Sequence, residues 1–278
     1  MNFKVSIFRD SSRRRFWKSG QLGRLLAGTI LLIPFVTMAL LPRKFLAFDP
    51  FESVASPFAS PSFKHPFGID DLGRDLFSAV IAGSKTSLLT GLEVAGLAMF
   101  IGVTIGVSAG FFGGRLDDIL MRLTELVQSV PRFFVAILMV AFFGGSFTTL
   151  VLVLGFTSWP GLARITRAEA LSVKNRQYVK ASFALGTGSY QILMRHVIPH
   201  ARRPVLAASA LIVTGAILTE AGLGYLGISD PNMVSWGQLI NNAQRFLHHA
   251  WWLSVFPGLA LMIMVLGVTL VADGLGKD

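Results

Sequence analysis

The feature that most constrains this chain is a series of long apolar segments separated by shorter polar ones. These segments are residues 25–41, 87–112, 133–143, 148–163, 204–226 and 250–272. A helix that crosses a bilayer needs about 20 apolar residues, with a range of roughly 17–25. Only 14% of the residues are charged, whereas a soluble domain has roughly 25%. The sequence therefore predicts an all-α integral membrane protein with six transmembrane helices.

The third apolar segment is too short to cross a membrane alone. We expect its helix to extend back through the mixed stretch 116–130, so that residues 116–143 form one span. Pro131, Pro160 and Pro257 lie in or beside spans three, four and six. A proline removes one helical hydrogen bond, and these positions therefore predict bends.

The basic residues are unevenly distributed between the predicted sides, with 19 on one side and six on the other. Because basic residues favour the cytoplasmic side, both termini are predicted to be cytoplasmic. The net charge of +10 then reflects topology and contact with membrane lipid, and no nucleic-acid partner is expected. The chain has no cysteine, and no metal site is expected.

Four regions are predicted along the chain. Residues 1–24 form a basic cytoplasmic arm, and residues 25–83 hold the first span and an extracytoplasmic segment. Residues 84–274 form a five-span unit, and residues 275–278 form a cytoplasmic tail. The second span carries small residues four apart, which predicts close helix packing; they are Ala98, Gly102, Gly106, Gly110 and Gly114. The indole rings of Trp159, Trp236, Trp251 and Trp252 are expected at the lipid–water interface.

The second half of the extracytoplasmic segment predicts a short helix over residues 70–82. Asp70 or Asp71 would be its N-cap. Leu72, Leu76 and Val80 would then form one apolar stripe. Such a helix is expected to lie along the membrane surface.

The stretch 164–203 is too polar to cross a bilayer and too regular for a flexible linker. It predicts a helix over 174–185 that ends at Gly186 in a left-handed cap. A second helix would run from Ser189 to Ile198, with Pro199 as its stop. This helix–glycine–helix unit is expected to be a docking element.

Three parts of this stretch resemble the Glu-Ala-Ala loop of ABC importer permeases: Tyr178-Val179-Lys180-Ala181-Ser182, then Gly186, then Val197-Ile198-Pro199. In that family the loop forms a coupling helix that sits in a cleft of the ATPase subunit. The resemblance implies that the coupling residues are Arg176, Tyr178, Val179, Lys180, Ala181, Ser182, Leu185, Gly186 and Pro199. Lys180 replaces the family's glutamate and Ser182 its second alanine. A compensating acid on the partner is one explanation of the charge reversal.

A second stretch, His65-Pro66-Phe67-Gly68-Ile69-Asp70-Asp71-Leu72-Gly73-Arg74-Asp75, is similar to a signature of the dipeptide, oligopeptide and nickel permeases, in the second of their two permease types. It makes Asp70, Asp71, Arg74 and Asp75 outer-face candidates. Thr219-Glu220-Ala221 and Ser235-Trp236-Gly237 agree with the same family. Glu220 is an acid inside a span, which is costly unless it faces the bundle interior or a water-filled path, and it is a candidate gate or pathway residue.

The resemblance implies a type I ABC importer transmembrane fold in a bacterial inner membrane. It also implies a sister permease, two ATPase subunits and an extracytoplasmic binding protein as partners. No phosphate-binding G-x-x-x-x-G-K-[ST] loop is present, so ATP and Mg²⁺ are expected on partner subunits, with no cofactor and no enzyme activity in this chain. Di- or oligopeptides are the expected substrate, and nickel or glutathione-like compounds are alternatives. A stand-alone secondary transporter or channel would need broken helices, midplane charges or an internal repeat.

Overall fold

The computed structural model describes residues 11–40 and 48–276. Residues 1–10, 41–47 and 277–278 lie outside the described residues, and with them lie parts of the predicted arm, extracytoplasmic segment and tail. The described chain is almost entirely helical. Its helices are α1 (Ser11–Leu40), α2 (Leu76–Phe112), α3 (Gly114–Ser129), α4 (Arg132–Phe143), α5 (Phe147–Lys174), α6 (Gln177–Ala184), α7 (Ser189–Ile192), α8 (Ile198–Tyr225), α9 (Trp236–Ala243) and α10 (Trp252–Leu275).

Five helical segments of the described chain are long and apolar enough to cross a membrane. They are Gly20–Leu40 within α1, then α2, α5, the continuous run Ser189–Tyr225, and α10. Helices α3 and α4 together would make a sixth span, but they are bent by 74°. The prediction of an all-α membrane protein is therefore confirmed.

The third predicted span is broken, and the prediction of one helix over residues 116–143 is wrong. Helix α3 ends at Ser129, and Val130 is extended, with φ −92° and ψ 126°. The residue before a proline is pushed out of the helical region by the proline ring. Pro131 therefore ends α3 and is the N-cap of α4.

The predicted surface helix over residues 70–82 is also wrong. Residues 70–75 form turns, and α2 begins at Leu76 and runs unbroken to Phe112, so its first turns belong to the span itself. The Oδ1 atom of Asp70 accepts hydrogen bonds from the backbone N–H groups of Leu72 and Arg74. Such local side-chain bonds favour a turn over a helix. The N-cap is Asp75, and neither Asp70 nor Asp71 takes that position.

The predicted helix stop at Pro199 is wrong as well. A π-helical turn, Leu193–Val197, joins α7 to α8, and the Ile198 N–H donates to the Leu193 carbonyl five residues back. Inside a helix, proline has no N–H to donate and its ring clashes with the carbonyl four residues back. The wider π turn lets the chain continue through Pro199 into α8.

Helix α2 is the central helix, and its glycines pack directly on α5. A Cβ atom at Gly102 would lie 3.0 Å from the Trp159 carbonyl oxygen, and one at Gly110 would lie 2.5 Å from that of Arg167. The prediction that this stripe serves close packing is confirmed for Gly102, Gly106 and Gly110. Gly114 is not part of the stripe, because α2 ends at Phe112 and Gly113 has a φ of +71°.

Trp236 is completely buried, which corrects its predicted place at the lipid–water interface. Its Nε1–H donates to the Val80 carbonyl at 2.9 Å, and its indole ring fills the space above Gly83. Trp159 and Trp252 are buried too, whereas Trp251 is exposed. Tryptophan hydropathy does not distinguish an interface from a helix-packing site with a hydrogen-bond acceptor.

Candidate functional site

The connector, residues 175–188, joins α5 to the helical run that begins at Ser189. It consists of the short helix α6 followed by a turn at Gly186. The Gly186 N–H donates to the Phe183 carbonyl at 3.0 Å, and the Thr187 N–H donates to the Ser182 carbonyl at 3.0 Å. The φ of Gly186 is +81°, which confirms the predicted left-handed cap.

The inner face of the connector is fixed to the bundle by apolar packing. Val179 is completely buried and belongs to one cluster with Phe111, Val173, Ile192 and Val197. These residues come from the ends of α2 and α5 and from the run that leads into α8. A displacement of α6 therefore has to move the ends of three long helices.

Polar contacts hold the connector to α8 and hold the end of α5 to α2 and α3. The Lys174 ammonium donates to the Phe111 carbonyl at the end of α2, at 2.6 Å. An Arg176 Nη2 atom lies 2.7 Å from Nε2 of His200 at the start of α8. Arg167 of α5 makes two 2.6 Å hydrogen bonds to the carboxylate of Asp117 on α3. Such bidentate, charge-assisted pairs fix relative orientation as well as distance.

The opposite face of the connector is exposed and carries large apolar and aromatic side chains. Leu185 is 87% exposed, and Tyr178 is also exposed. Phe183 lies one turn after Val179 on the packed side, where its ring stacks on Phe111, and 39% of it stays exposed. Tyr190, in the following helix, is 73% exposed. Lys180, Ala181 and Gly186 are exposed on the same connector, while Ser182 is half-buried and bonds to the Tyr178 carbonyl. Large apolar side chains exposed on a polar segment are typical of an interaction site.

The distal loop, residues 48–75, lies at the other end of α2 and holds the second predicted motif. Asp75 is buried and accepts a hydrogen bond from the Ser78 N–H at the start of α2, at 2.8 Å. Its other oxygen lies 2.8 Å from Nδ1 of the buried His65. The ends of the motif are thus tied together by side chains that point inward.

The backbone of the distal loop is also turned in on itself. Gly68 and Gly73 have φ values of +79° and +80°. A Cβ at Gly68 would contact the Trp252 ring and the Ala59 carbonyl, and one at Gly73 would contact Ser53 and the Ala55 carbonyl. Asp70, Asp71 and Arg74 are half-buried. Burial raises the pKa of Asp70, and the N–H groups of Arg74 and Leu72 oppose that effect only in part. The structure therefore brings the four outer-face candidates into one compact turn.

Glu220 is buried in α8, with 3% of its surface exposed. Its Oε2 atom and Ser235 Oγ have no hydrogen-bond partner among the described residues. Ser235 lies over Gly224, one turn along α8, where a Cβ would come within 2.6 Å of Ser235 Oγ. Glu220 therefore faces the contact between α8 and the segment before α9. A gate or pathway role for Glu220 stays a prediction.

A cavity of about 450 Å³ lies between the α3–α4 break, α5 and α8. It is bounded midway along both long helices, by residues 157–165 of α5 and 208–215 of α8. Its walls are mainly apolar, with polar groups from Gln128, Thr157 and Ser158 and a guanidinium from Arg132. This arrangement of an apolar cleft with few polar groups is typical of small-molecule sites.

Comparison with known proteins gives the family. Residues 102–277 match the model of the binding-protein-dependent transport system inner membrane component family. The chain is 33% identical over 273 residues to the oligopeptide transport system permease protein OppC of Bacillus subtilis, which covers 98% of this chain and 88% of that protein. It is 31% identical to the di/tripeptide transport system permease protein DppC of Pseudomonas aeruginosa, over 97% of this chain and 92% of that protein.

The chain belongs to this permease family. A third relative, the probable D,D-dipeptide transport system permease protein DdpC of Escherichia coli, is 30% identical over 98% of this chain and 94% of that protein. The permease is thus a multi-pass membrane protein whose relatives are transport permeases, and no enzyme is among these three.

Solved structures give the fold of the permease. A chain of the MetNI methionine ABC transporter, solved in inward-facing conformations, superposes with a TM-score of 0.60. The match covers 70% of this chain and 93% of that chain at 17% identity. A second crystal form of the same transporter gives a TM-score of 0.61. The predicted type I ABC importer fold is therefore confirmed, and an ABC importer permease works with ATPase and substrate-binding partners.

Sequence reasoning missed several residues of the permease that the structure brings into contact with these sites. Tyr190 adds an exposed ring next to the connector, and Phe183 packs on Phe111. The aromatic character of both residues in a polar stretch was the available signal. Arg132 lines the cavity, and it was assigned no role from the sequence because residues 116–143 were predicted to form one continuous helix. Asp230 accepts the Phe147 N–H at the start of α5 from 83 residues away, a contact that no local pattern reveals.

Proposed function

We propose that this permease is one membrane subunit of an ATP-driven importer of di- or oligopeptides. Separate ATPase subunits dock on its connector, a sister permease completes the pathway, and an extracytoplasmic binding protein delivers the substrate. Both termini and the connector then lie on the cytoplasmic side, where the basic residues of the sequence favour them. ATP and Mg²⁺ bind to the ATPase subunits.

The observation that carries this proposal is the two-faced connector. Val179 fixes one face to the ends of three helices, while Leu185 and Tyr178 leave apolar and aromatic side chains exposed on the other. Exposing such side chains to water on a polar segment is unfavourable unless a partner covers them. A movement imposed on the exposed face would pass through the packed face to α5 and α8, which bound the cavity.

Peptides are the proposed substrate because all three curated relatives described above carry peptide transport in their names. The cavity of about 450 Å³ has the size of a small-molecule site. In the importer it would open onto the space shared with the sister permease.

The test is reconstitution of the complete transporter in lipid vesicles, with the binding protein outside and ATP enclosed with the ATPase subunits. We expect uptake of labelled di- to pentapeptides only when ATP and the binding protein are both present. Leu185→Asp should prevent the ATPase subunits from co-purifying with the permease, because it places a charge at the most exposed apolar side chain of the connector.

The matched control is Leu226→Asp, which changes an exposed leucine at the other end of α8. It should leave ATPase co-purification intact. Peptide uptake by this chain alone, or uptake driven by an ion gradient without ATP, would refute the proposal. Uptake of nickel but not of peptides would refute the substrate and leave the importer role standing.

A further inference from the structure

Arg132 is the charged residue among the cavity-lining residues of the described chain. It is the first residue of α4, directly after the break at Pro131. Its Nη1 atom lies 3.3 Å from Ser158 Oγ on α5. Among residues 11–40 and 48–276 it makes no ion pair. The cavity is thus positively charged at a level midway along α5 and α8.

A charge at this depth needs an explanation because it is expensive. An arginine side chain stays protonated in proteins, and placing it in the centre of a bilayer costs several kcal/mol unless water or an anion accompanies it. Arg132 is exposed to the cavity, so that water or an anion can reach its guanidinium, and among the described residues its one hydrogen-bond partner is the neutral Ser158. The first turn of α4 adds to the cost, because the N–H ends of a helix also disfavour a cation. The two effects together make this position attractive to an anion.

The cavity also has space that helix packing does not use. Gly161 of α5 and Gly215 of α8 both line it, and a Cβ at either would meet nothing within 4 Å. These glycines differ from Gly102, Gly106 and Gly110, which are in contact with α5. Glycines that face open space widen a passage between the two helices that the connector joins.

We propose that Arg132 binds a carboxylate of the transported substrate midway along the pathway, through the planar fork of its guanidinium. This inference rests on the proposed peptide import and names the substrate group that the permease itself recognises. Arginine suits the task because its parallel N–H groups match both oxygens of a carboxylate. Every unmodified peptide carries such a group at its C-terminus, and Ser158 holds the guanidinium in place when the cavity is empty.

The experiment compares uptake of one peptide as its free acid and as its C-terminal amide. The same binding protein is used in every arm, so its own preference cancels when the acid-to-amide ratio of a variant is divided by that of the wild type. A hydrogen-bonded contact with a charged group is worth roughly 1.5–3 kcal/mol. We therefore expect Arg132→Gln to lower the acid-to-amide ratio about tenfold or more, mainly by slowing uptake of the acid.

Arg132→Lys retains the charge and should keep most of the preference for the acid. Arg122→Gln is the matched control, because Arg122 is an exposed arginine on α3 that does not line the cavity. It should leave the ratio unchanged. An unchanged acid-to-amide ratio in Arg132→Gln, with normal uptake, overturns the inference. Failure of both Arg132 variants to assemble also overturns it, because Arg132 would then pair with an acidic residue of the sister subunit. Absence of any ATP-driven peptide uptake by the wild type refutes the proposed function instead.

Discussion

The two motifs at opposite ends of α2 differ in where their side chains point. In the distal loop, Asp75 and His65 are buried and satisfy each other and the first turn of α2. In the connector, Leu185 and Tyr178 extend into solvent, and only Val179 is buried. A motif whose polar groups are hydrogen-bonded within the chain stabilises its own fold. A motif that exposes large apolar and aromatic side chains needs a partner to cover them. The two motifs should therefore respond differently to substitution.

The largest expected effect is on stability and comes from Asp75→Ala. The substitution removes the cap of α2 and leaves the His65 ring buried without its partner, which costs about 2–4 kcal/mol. The thermal unfolding temperature of the purified transporter measures the loss. Asp71→Ala is the control, because Asp71 is half-buried and makes no hydrogen bond with another described residue, and it should change stability little.

Uptake per assembled Asp75→Ala complex should remain close to that of the wild type. If uptake fell while the unfolding temperature did not, the distal loop would take part in transport directly, and the comparison between the two motifs would fail.

Gly186→Val tests the connector, where we expect a loss of transport coupling with little change in stability. A β-branched residue at φ +81° costs about 1–2 kcal/mol, which changes the population of the native turn by a factor of about 5–30. We expect peptide uptake per ATP hydrolysed to fall by a similar factor, while the unfolding temperature changes little because the turn is exposed.

Gly188→Val is the matched control for this substitution. Gly188 is an exposed glycine two residues away with φ −64° and ψ 146°, a conformation that valine adopts readily. Both the uptake per ATP and the unfolding temperature should stay near the wild-type values. Equal uptake in the two valine variants would show that the left-handed turn has no part in coupling.

The sequence was sufficient to predict features that depend on the chemistry of one residue or on a regular spacing of residues along one helix. The Gly186 cap follows from glycine's access to positive φ, and the packing stripe of α2 follows from the spacing of Gly102, Gly106 and Gly110. Apolar length alone identified the spans at α2, α5 and α10. In each case the determining information lies within a few turns of chain.

The sequence was insufficient where two local signals compete. The sequence predicts only a bend at Pro131, where the third span breaks, and a helix stop at Pro199, where the helix continues. A π turn accommodates Pro199, whereas Val130 has become extended before Pro131. The Arg132 cavity went unpredicted as well, because its walls come from α3, α4, α5 and α8, which are brought together only in the folded chain. Such choices are decided by tertiary contacts.

Substitution of Asp230, which contacts the start of α5, is expected to have a smaller effect on stability. Although burial acts to raise its pKa, hydrogen bonds from Asn232 and from the Phe147 N–H at the start of α5 lower the pKa overall. Asp230→Ala should cost about 1 kcal/mol, the usual value of a helix-terminal carboxylate. A lowered pKa means that the stabilisation is present above about pH 4 and is lost as the pH falls through the folded-state pKa.

The difference in unfolding temperature between the wild type and Asp230→Ala should therefore shrink between pH 7 and pH 3. A difference that stayed constant over this range would mean that the contact with α5 does not depend on the charge of Asp230.

Substitution of Asp70 is expected to have the smallest effect on stability, and its dependence on pH has the opposite sign to that of Asp230. Burial raises its pKa in spite of the N–H groups of Arg74 and Leu72, so its contribution to stability is greatest below about pH 4 and is lost as the pH rises through the folded-state pKa. Asp70→Asn keeps the Oδ1 acceptor for both N–H groups and removes the buried charge. At neutral pH we expect its unfolding temperature to equal or slightly exceed that of the wild type, within about 0.5 kcal/mol, with Asp71→Asn as the control. A loss as large as that of Asp75→Ala would mean that the ionised carboxylate itself holds the loop, because a neutral acceptor in the same position would then have failed to replace it.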